Sequence, residues 1–302
     1  MQPLSPLIIQ IYHTGVNRYR IENCERDGVG SLFMKQICEH LCIRQREVFG
    51  FRFKHRKSHN TMMWAQLDRR LFNQVNGVEE SLDLVFDVLH YMTNFKVVTD
   101  LCALLNIYEI MRKQFEKGII VTSKETAAVL LAIIAHVDAG DYRLYHTANY
   151  LRVRYTLPKK FKINKQVPFI SEKAVHHYLA LRGMSKEEAQ RKFLKIIQRQ
   201  EGYGVETIKY KDKDHVAREL KISPRGIALS DPSNPSDSFN VSWNGIEDLK
   251  YKHKIVTIQV HGPRHIEIEL NSMRLAHYVW HYLYSKVLFY KNHTEQIAGL
   301  QR

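Results

Sequence analysis

The spacing of hydrophobic and polar positions along this chain changes period twice. Between Leu7 and Met92 most apolar side chains alternate with polar ones, the pattern of strands that bury one face. LIIQIYHT (Leu7–Thr14) and RYRIENC (Arg18–Cys24) flank a turn at Gly15, and VFGFRFKH, MMWAQLD and LDLVFDVLHYM supply three more strands. One helix interrupts them. Ser31 is its predicted cap, and Leu32, Phe33, Ile37 and Leu41 of LFMKQICEHL share a helical face.

From 93 to 201 the period is helical. Ile107–Gly118 forms one helix, with Ile107, Ile110, Met111 and Phe115 on a stripe. The next is the most informative segment of the chain. Thr122 and Glu125 have capping-box spacing, Ala127 to Val137 is apolar on every side, and Gly140 supplies the positive φ of a helix stop. A helix apolar all round is buried or spans a membrane. This run is shorter than the roughly 20 residues of a span and contains His136, so burial is predicted. Ser171–Ala180 is a third helix. Ser185, with Glu188 in box position, starts a fourth that carries Ala189, Phe193, Ile196 and Ile197. Between these helices RVRYTLPKKFKINKQVPF reads as a connector broken by Pro158 and Pro168.

Residues 202–270 return to period two: VETIKY, ARELKIS, GIALS, FNVSW, DLKYK, IVTIQV and HIEIEL, with the richest turn at Pro232–Ser238. A final helix follows. Ser272 is a cap candidate, and Leu275, Ala276, Val279, Trp280, Leu283 and Val287 form a stripe. The pattern predicts an α+β chain in three lobes. A ubiquitin-like roll occupies 1–92 and a helical bundle 93–201. A seven-stranded barrel capped by the C-terminal helix, like a pleckstrin-homology or phosphotyrosine-binding domain, occupies 202–302.

Composition narrows the class. Hydrophobic content of 44% and charged content of 25% are globular values. The N-terminus has neither a basic start nor a small-residue cleavage site, so no secretory signal is predicted. Cys24, Cys38, Cys42 and Cys102 are too few for a disulfide framework and point to a reducing compartment, where the sequons at Asn240 and Asn292 would be inert. The net charge of +14 calls for an acidic partner. It is unevenly spread, because residues 93–201 alone carry +9. From Tyr142 to Ser171 there are Arg143, Arg152, Arg154, Lys159, Lys160, Lys162 and Lys165, and no acid.

Local motifs support one resemblance. Val48-Phe49-Gly50-Phe51 with Trp64-Ala65-Gln66-Leu67-Asp68, the central helix ending in Gly140-Asp141-Tyr142, Tyr203-Gly204-Val205, the spacing of Phe239, Trp243 and Ile246, and Phe289-Tyr290 resemble the ordered signatures of FERM modules. Leu41–Gly50 is most similar to the FERM-bearing tyrosine phosphatases. The resemblance implies three lobes, with an acyl-CoA-binding-protein-like second one. It implies a non-enzymatic adaptor, cytoplasmic and peripheral at the inner plasma membrane and cell cortex. Such an adaptor links membrane-protein tails and phosphoinositide membrane to cytoskeleton or scaffold proteins. The alternative is the targeting portion of a larger phosphatase. The chain departs from the pattern in three places: His136 replaces a glutamine, Gln66 replaces a basic residue of the lipid cleft and so weakens it, and Ser285-Lys286-Val287 replaces a histidine-bearing stretch.

Candidate chemistry is thin. Cys38 and Arg44 have a phosphatase-loop spacing, but the residues between them contain no glycine and follow a helical pattern, so they cannot cradle phosphate. Asp27-Gly28-Val29-Gly30 reads as a turn. Cys38 and Cys42 read as a core-facing pair with His40 off their face, and His176-His177 lacks a third ligand. No metal, cofactor or catalytic set is expected, and nucleic acid is not an expected partner.

Two binding surfaces are expected. The resemblance places a peptide groove beside the strand after the Trp243 motif, with Glu247, Leu249, Lys250, Tyr251 and Lys252 on the strand and Tyr278 and Tyr282 on the helix. It places a lipid headgroup site at Arg69, Arg70 and Lys291. The charge count adds Lys159, Lys160, Lys162 and Lys165 as a polybasic membrane-facing set.

Overall fold

The computed structural model describes residues 7–13, 17–24, 27–54, 62–75, 81–212, 214–231, 234–262 and 265–300. The predicted turns at Gly15 and at Pro232-Ser233 lie outside them. The chain divides into two compact units, one comprising 1–89 and 94–203, the other 90–93 and 204–302.

The first unit opens with β1 (Leu7–His13), β2 (Asn17–Cys24), α1 (Gly30–His40), β3 (Phe49–Lys54), β4 (Met62–Trp64), α2 (Leu71–Val75) and β5 (Ser81–Val88). The strands form one sheet in the order β2-β1-β5-β3-β4. β1 and β5 are parallel and the other neighbours antiparallel. Alternation holds: Ile9, Ile11, Phe51, Phe53, Leu82, Leu84 and Phe86 are buried. α1 differs from expectation. Its N-cap is Val29, with no side-chain bond, and its buried face is Phe33, Met34, Ile37 and Cys38 rather than one through Leu32 and Leu41. The short α2 carries no periodic signal long enough to read.

The helical part comprises α3 (Leu101–Lys117), α4 (Lys124–Ala139), α5 (Ala148–Arg154), α6 (Lys159–Ile163), α7 (Val167–Leu179) and α8 (Lys186–Ile197). α4 is the predicted buried helix: Ala127, Ala128, every residue from Leu130 to Val137, and with them His136, are buried. His136 Nε2 lies 2.8 Å from the Met184 carbonyl, so this polar side chain is accommodated in the core. The cap falls one residue later than predicted. Ser123 Oγ accepts from the Thr126 N–H, and Gly140 ends the helix at φ 74°. The Ser185–Glu188 capping box is present on α8. The predicted connector is instead largely helical, and Pro168 sits in the first turn of α7, where its missing N–H costs nothing.

A reciprocal network joins the sheet to these helices. Asp100 caps α3 by accepting from the Cys102 N–H at 3.0 Å, and also accepts from the backbone N–H groups of Arg44 and Gln45. Gln45 answers: its Oε1 accepts from the Thr99 and Asp100 N–H groups, and its Nε2 donates to the Val97 carbonyl. Burial pushes the Asp100 carboxyl up, but the N–H groups of Arg44, Gln45, Ala103 and Cys102 outweigh it and hold the group below its usual range.

The second unit is one antiparallel sheet in the order β10-β11-β12-β6-β7-β8-β9. Its strands are β6 (Glu206–Lys211), β7 (Ala217–Ser223), β8 (Gly226–Asp231), β9 (Asn234–Ser242), β10 (Ile246–Lys252), β11 (Ile255–Val260) and β12 (His265–Glu269). All seven predicted strands are present. Residues 234–238 of the predicted turn belong to β9, with an irregularity opposite Ser230 and Asp231. α9 (Met273–Leu300) packs on β10 and β11. Tyr290 anchors it: its ring stacks on Trp243, and its hydroxyl donates to the Tyr91 carbonyl at 2.9 Å. Gly204 has φ 62°, and a Cβ there would come within 2.5 Å of the Tyr91 ring, so glycine is required.

Replacing Asp100 by Ala removes a cap and two cross-links, and is expected to cost about 1–3 kcal/mol in urea unfolding. The folded carboxyl titrates below the unfolded value of about 3.9. Its contribution is therefore complete above that value and is lost as the pH falls through the folded pKa. The wild-type advantage over the variant should shrink as unfolding is measured at progressively more acidic pH. Gly204→Ala should cost more than about 2 kcal/mol in the second unit, read by local hydrogen exchange.

Candidate functional site

β10 is an edge strand, and α9 runs beside it. Helical geometry splits the side chains of α9 into two flanks around the buried Ala276, Val279, Leu283 and Val287. One flank turns His277, Trp280 and Tyr284 towards β10. Tyr251 lies 5.2 Å from His277 and 5.1 Å from Trp280 between ring centroids, and Trp280 stacks on Tyr284 at 5.6 Å. Tyr278 and Tyr282 lie two positions from Trp280, about 160° round the helix. They stack on each other at 6.0 Å, and Tyr282 is buried beneath the Lys286 ammonium. The structure thus places the two expected tyrosines on the far flank. His277 and Trp280, which the sequence reading did not assign to the groove, lie beside β10. The i, i+3, i+7 spacing of aromatic residues at 277, 280 and 284 was the available signal.

Residues of this edge satisfy one another. The Trp280 indole N–H donates to the Leu249 carbonyl at 2.8 Å, and the Leu249 N–H donates to Asp248 Oδ1 at 2.8 Å. Both main-chain groups of Leu249 are therefore occupied by side chains standing where an added strand would pair. Lys250 reaches Asp248 at 3.0 Å, and Glu247 pairs with His261 at 2.7 Å. The Lys250 ammonium and the Leu249 N–H hold the Asp248 carboxyl below its usual range. Lys291, expected at a headgroup site, donates to the Ile246 carbonyl at 2.8 Å. Tyr251 and Lys252 remain exposed.

In the first unit, Arg69 and Arg70 are exposed just before α2, and Arg70 pairs with Asp27 at 2.9 Å. Lys159, Lys162 and Lys165 project outward from α6 and the turn after it. Lys160 does not join them: its ammonium donates to the Thr122 carbonyl at 2.6 Å and lies over the Phe161 ring. This contact fixes the residue just before the α4 cap. Cys38 and Cys42 do not form the expected core-facing pair. Cys38 is buried, but Cys42 follows the helix end at φ 57° and is exposed. Burial pushes the Cys38 thiol up to about 11, away from the thiolate that a nucleophile needs. Among the described residues no three His, Cys, Asp or Glu side chains gather as a metal site, and no helix is long and apolar enough to cross a membrane.

Asp248→Ala with Trp280→Phe should leave both edge groups of Leu249 unpaired. Exchange of the Leu249 amide is expected to accelerate at least about tenfold while the β11 amides stay protected. Unchanged exchange would show that the side chains do not cover the edge.

Comparison with known proteins gives a consistent answer. The sequence profile described as "FERM central domain" matches residues 94–207. Human Merlin is 25% identical over 261 residues, 84% of this chain and 43% of Merlin. Rat tyrosine-protein phosphatase non-receptor type 21 is 20% identical over 269 residues, 88% of this chain and 22% of the phosphatase. The chain thus spans less than half the length of these relatives. Among solved structures, the FERM and C-terminal domain complex of Drosophila Merlin aligns with TM-score 0.82 at 16% identity, covering 96% of this chain and 98% of that one. The human myosin 7b C-terminal MyTH4-FERM domain in complex with harmonin-a PDZ3 aligns with TM-score 0.59 at 14% identity, covering 96% and 61%. Residues 94–207 are a FERM central domain, and the chain as a whole carries the FERM fold.

Proposed function

We propose that this chain is a docking module that holds cytoplasmic tails of membrane proteins, or scaffold proteins, at a phosphoinositide-bearing membrane and links them to the cell cortex. The observation that carries the reading is the fold shared over 96% of the chain with a Merlin FERM module. Two local features support it. The β10–α9 edge, with Tyr251, His277 and Trp280 forming an aromatic cluster, offers an extended peptide both a strand to pair with and rings to pack on. Asp248 and Trp280 occupy the Leu249 groups in the free chain, so a peptide strand pairing there takes over bonds that already exist and gains net energy mainly from packing on the rings. Lys159, Lys162 and Lys165 face outward on an acid-free stretch, where each gains about 1 kcal/mol near an anionic leaflet.

A second reading is that the chain is the membrane-targeting portion of a larger tyrosine phosphatase. It is favoured by the match of 88% of this chain to only 22% of the rat phosphatase. A longer transcript encoding a catalytic domain after Arg302 decides for it.

The full chain titrated with phosphatidylcholine vesicles containing phosphatidylinositol bisphosphate tests the membrane part. Lys159→Glu, Lys162→Glu and Lys165→Glu together should weaken binding roughly a hundredfold or more, whereas Lys160→Glu should chiefly lower the melting temperature. Equal vesicle binding by the triple variant would sink the assignment. For the peptide part, juxtamembrane-tail peptides that bind should protect from exchange the Tyr251 amide, which alternation turns to the open edge as it does Leu249, and protection elsewhere alone would exclude the β10 edge.

A further inference from the structure

The acid-free stretch carries more than charge. In the segment 143–154 three large apolar side chains stand in solvent: Leu144 is 91% exposed, Val153 79% and Tyr145 58%. The same segment carries Arg143, Arg152 and Arg154, which are exposed too. A folded chain gains nothing from apolar groups held in water, and here Leu144 and Val153 each adjoin an arginine.

The segment is firmly rooted on its other side. His146 is fully buried, its ring stacks on Tyr178 at 5.3 Å, and its Nδ1 accepts from the Arg143 N–H at 3.1 Å. Tyr178 in turn places its hydroxyl 2.7 Å from the Gly140 carbonyl, at the end of α4. Thr147 caps α5 through the Tyr150 N–H, and Leu151 is fully buried. The loop and short helix are therefore held in place by their inner face, while their outer face presents leucine, valine and tyrosine among arginines.

We infer that residues 143–154 form a membrane-insertion surface, in which Leu144 and Val153 enter the acyl boundary of an anionic bilayer while Arg143, Arg152 and Arg154 meet its phosphates. The chemistry fits one occupant. A nucleic acid or an acidic peptide would satisfy the arginines but leave the aliphatic side chains wet. A bilayer interface takes both, and tyrosine is enriched at that depth. The inference rests on the membrane part of the proposed function and adds to it: the lysines of α6 supply attraction, and this surface supplies apolar anchoring that salt does not screen.

The test uses the full chain and phosphatidylcholine–phosphatidylserine vesicles, in sedimentation titrations at low and high salt. The wild-type chain should keep part of its binding at high salt. Leu144→Ser with Val153→Ser should bind at low salt but lose roughly tenfold or more of the salt-resistant binding. Both side chains are exposed, so its melting temperature should not change. Leu144→Trp should bind more tightly than wild type at high salt. If the double variant matches wild type at both salts, the insertion surface is wrong while the lysine-based reading stands. If the wild-type chain binds no anionic vesicle at all, the membrane reading falls and this surface with it.

Discussion

A helix with no polar face is the constraint around which the first unit is organised. α4 must be covered on all sides, and α7 and α8 pack along it to do so. The covering helices turn their apolar sides inward: Phe193, Leu194 and Ile197 of α8, and Ile170, Ala174 and Tyr178 of α7, are buried. What remains for the outer surface is polar and, in this chain, basic. The basic residues of the helical part lie on the segments that surround this hydrophobic rod.

Most of the fold was legible in the period of apolar residues, because burial of one face imposes that period directly. The seven strands of the second unit, the buried α4 and the Ser185–Glu188 box follow from it. What escaped depended on contacts between distant residues. Thr122 and Ser123 both offer a hydroxyl three residues before a potential partner. Ser123 caps α4 because Thr122 is buried and its carbonyl takes the Lys160 ammonium, 38 positions away. Pro168 looked like a break, but a helix start tolerates the same residue. Cys42 fitted the helical spacing of Cys38, yet the helix ends before it.

The candidate binding edge was legible only as a location. Alternation along β10 identified the strand, and family likeness placed a groove beside it. Which face of α9 lines that groove is a matter of helix rotation, set by the buried Ala276, Val279 and Leu283. That rotation brings Trp280 to the strand and sends Tyr282 to the core side. Occupation of both Leu249 groups by Asp248 and Trp280 also guards the strand against unintended pairing in the free chain. In the proposed docking mode, recognition and protection use the same atoms.

The four residues His90–Thr93 belong to the second unit although more than a hundred residues separate them from the rest of it. Tyr91 supplies the carbonyl for the buried Tyr290 hydroxyl, and its ring packs against Gly204. During synthesis this tetrapeptide emerges before any helix of the central bundle and has to wait for its partners, which are translated last. A fragment cut at the start of β6 would lack it, and the buried Tyr290 hydroxyl would lose the Tyr91 carbonyl to which it donates. The second unit is thus not a bead that evolution or a molecular biologist can cleanly excise. The helical bundle is, topologically, an insertion within it.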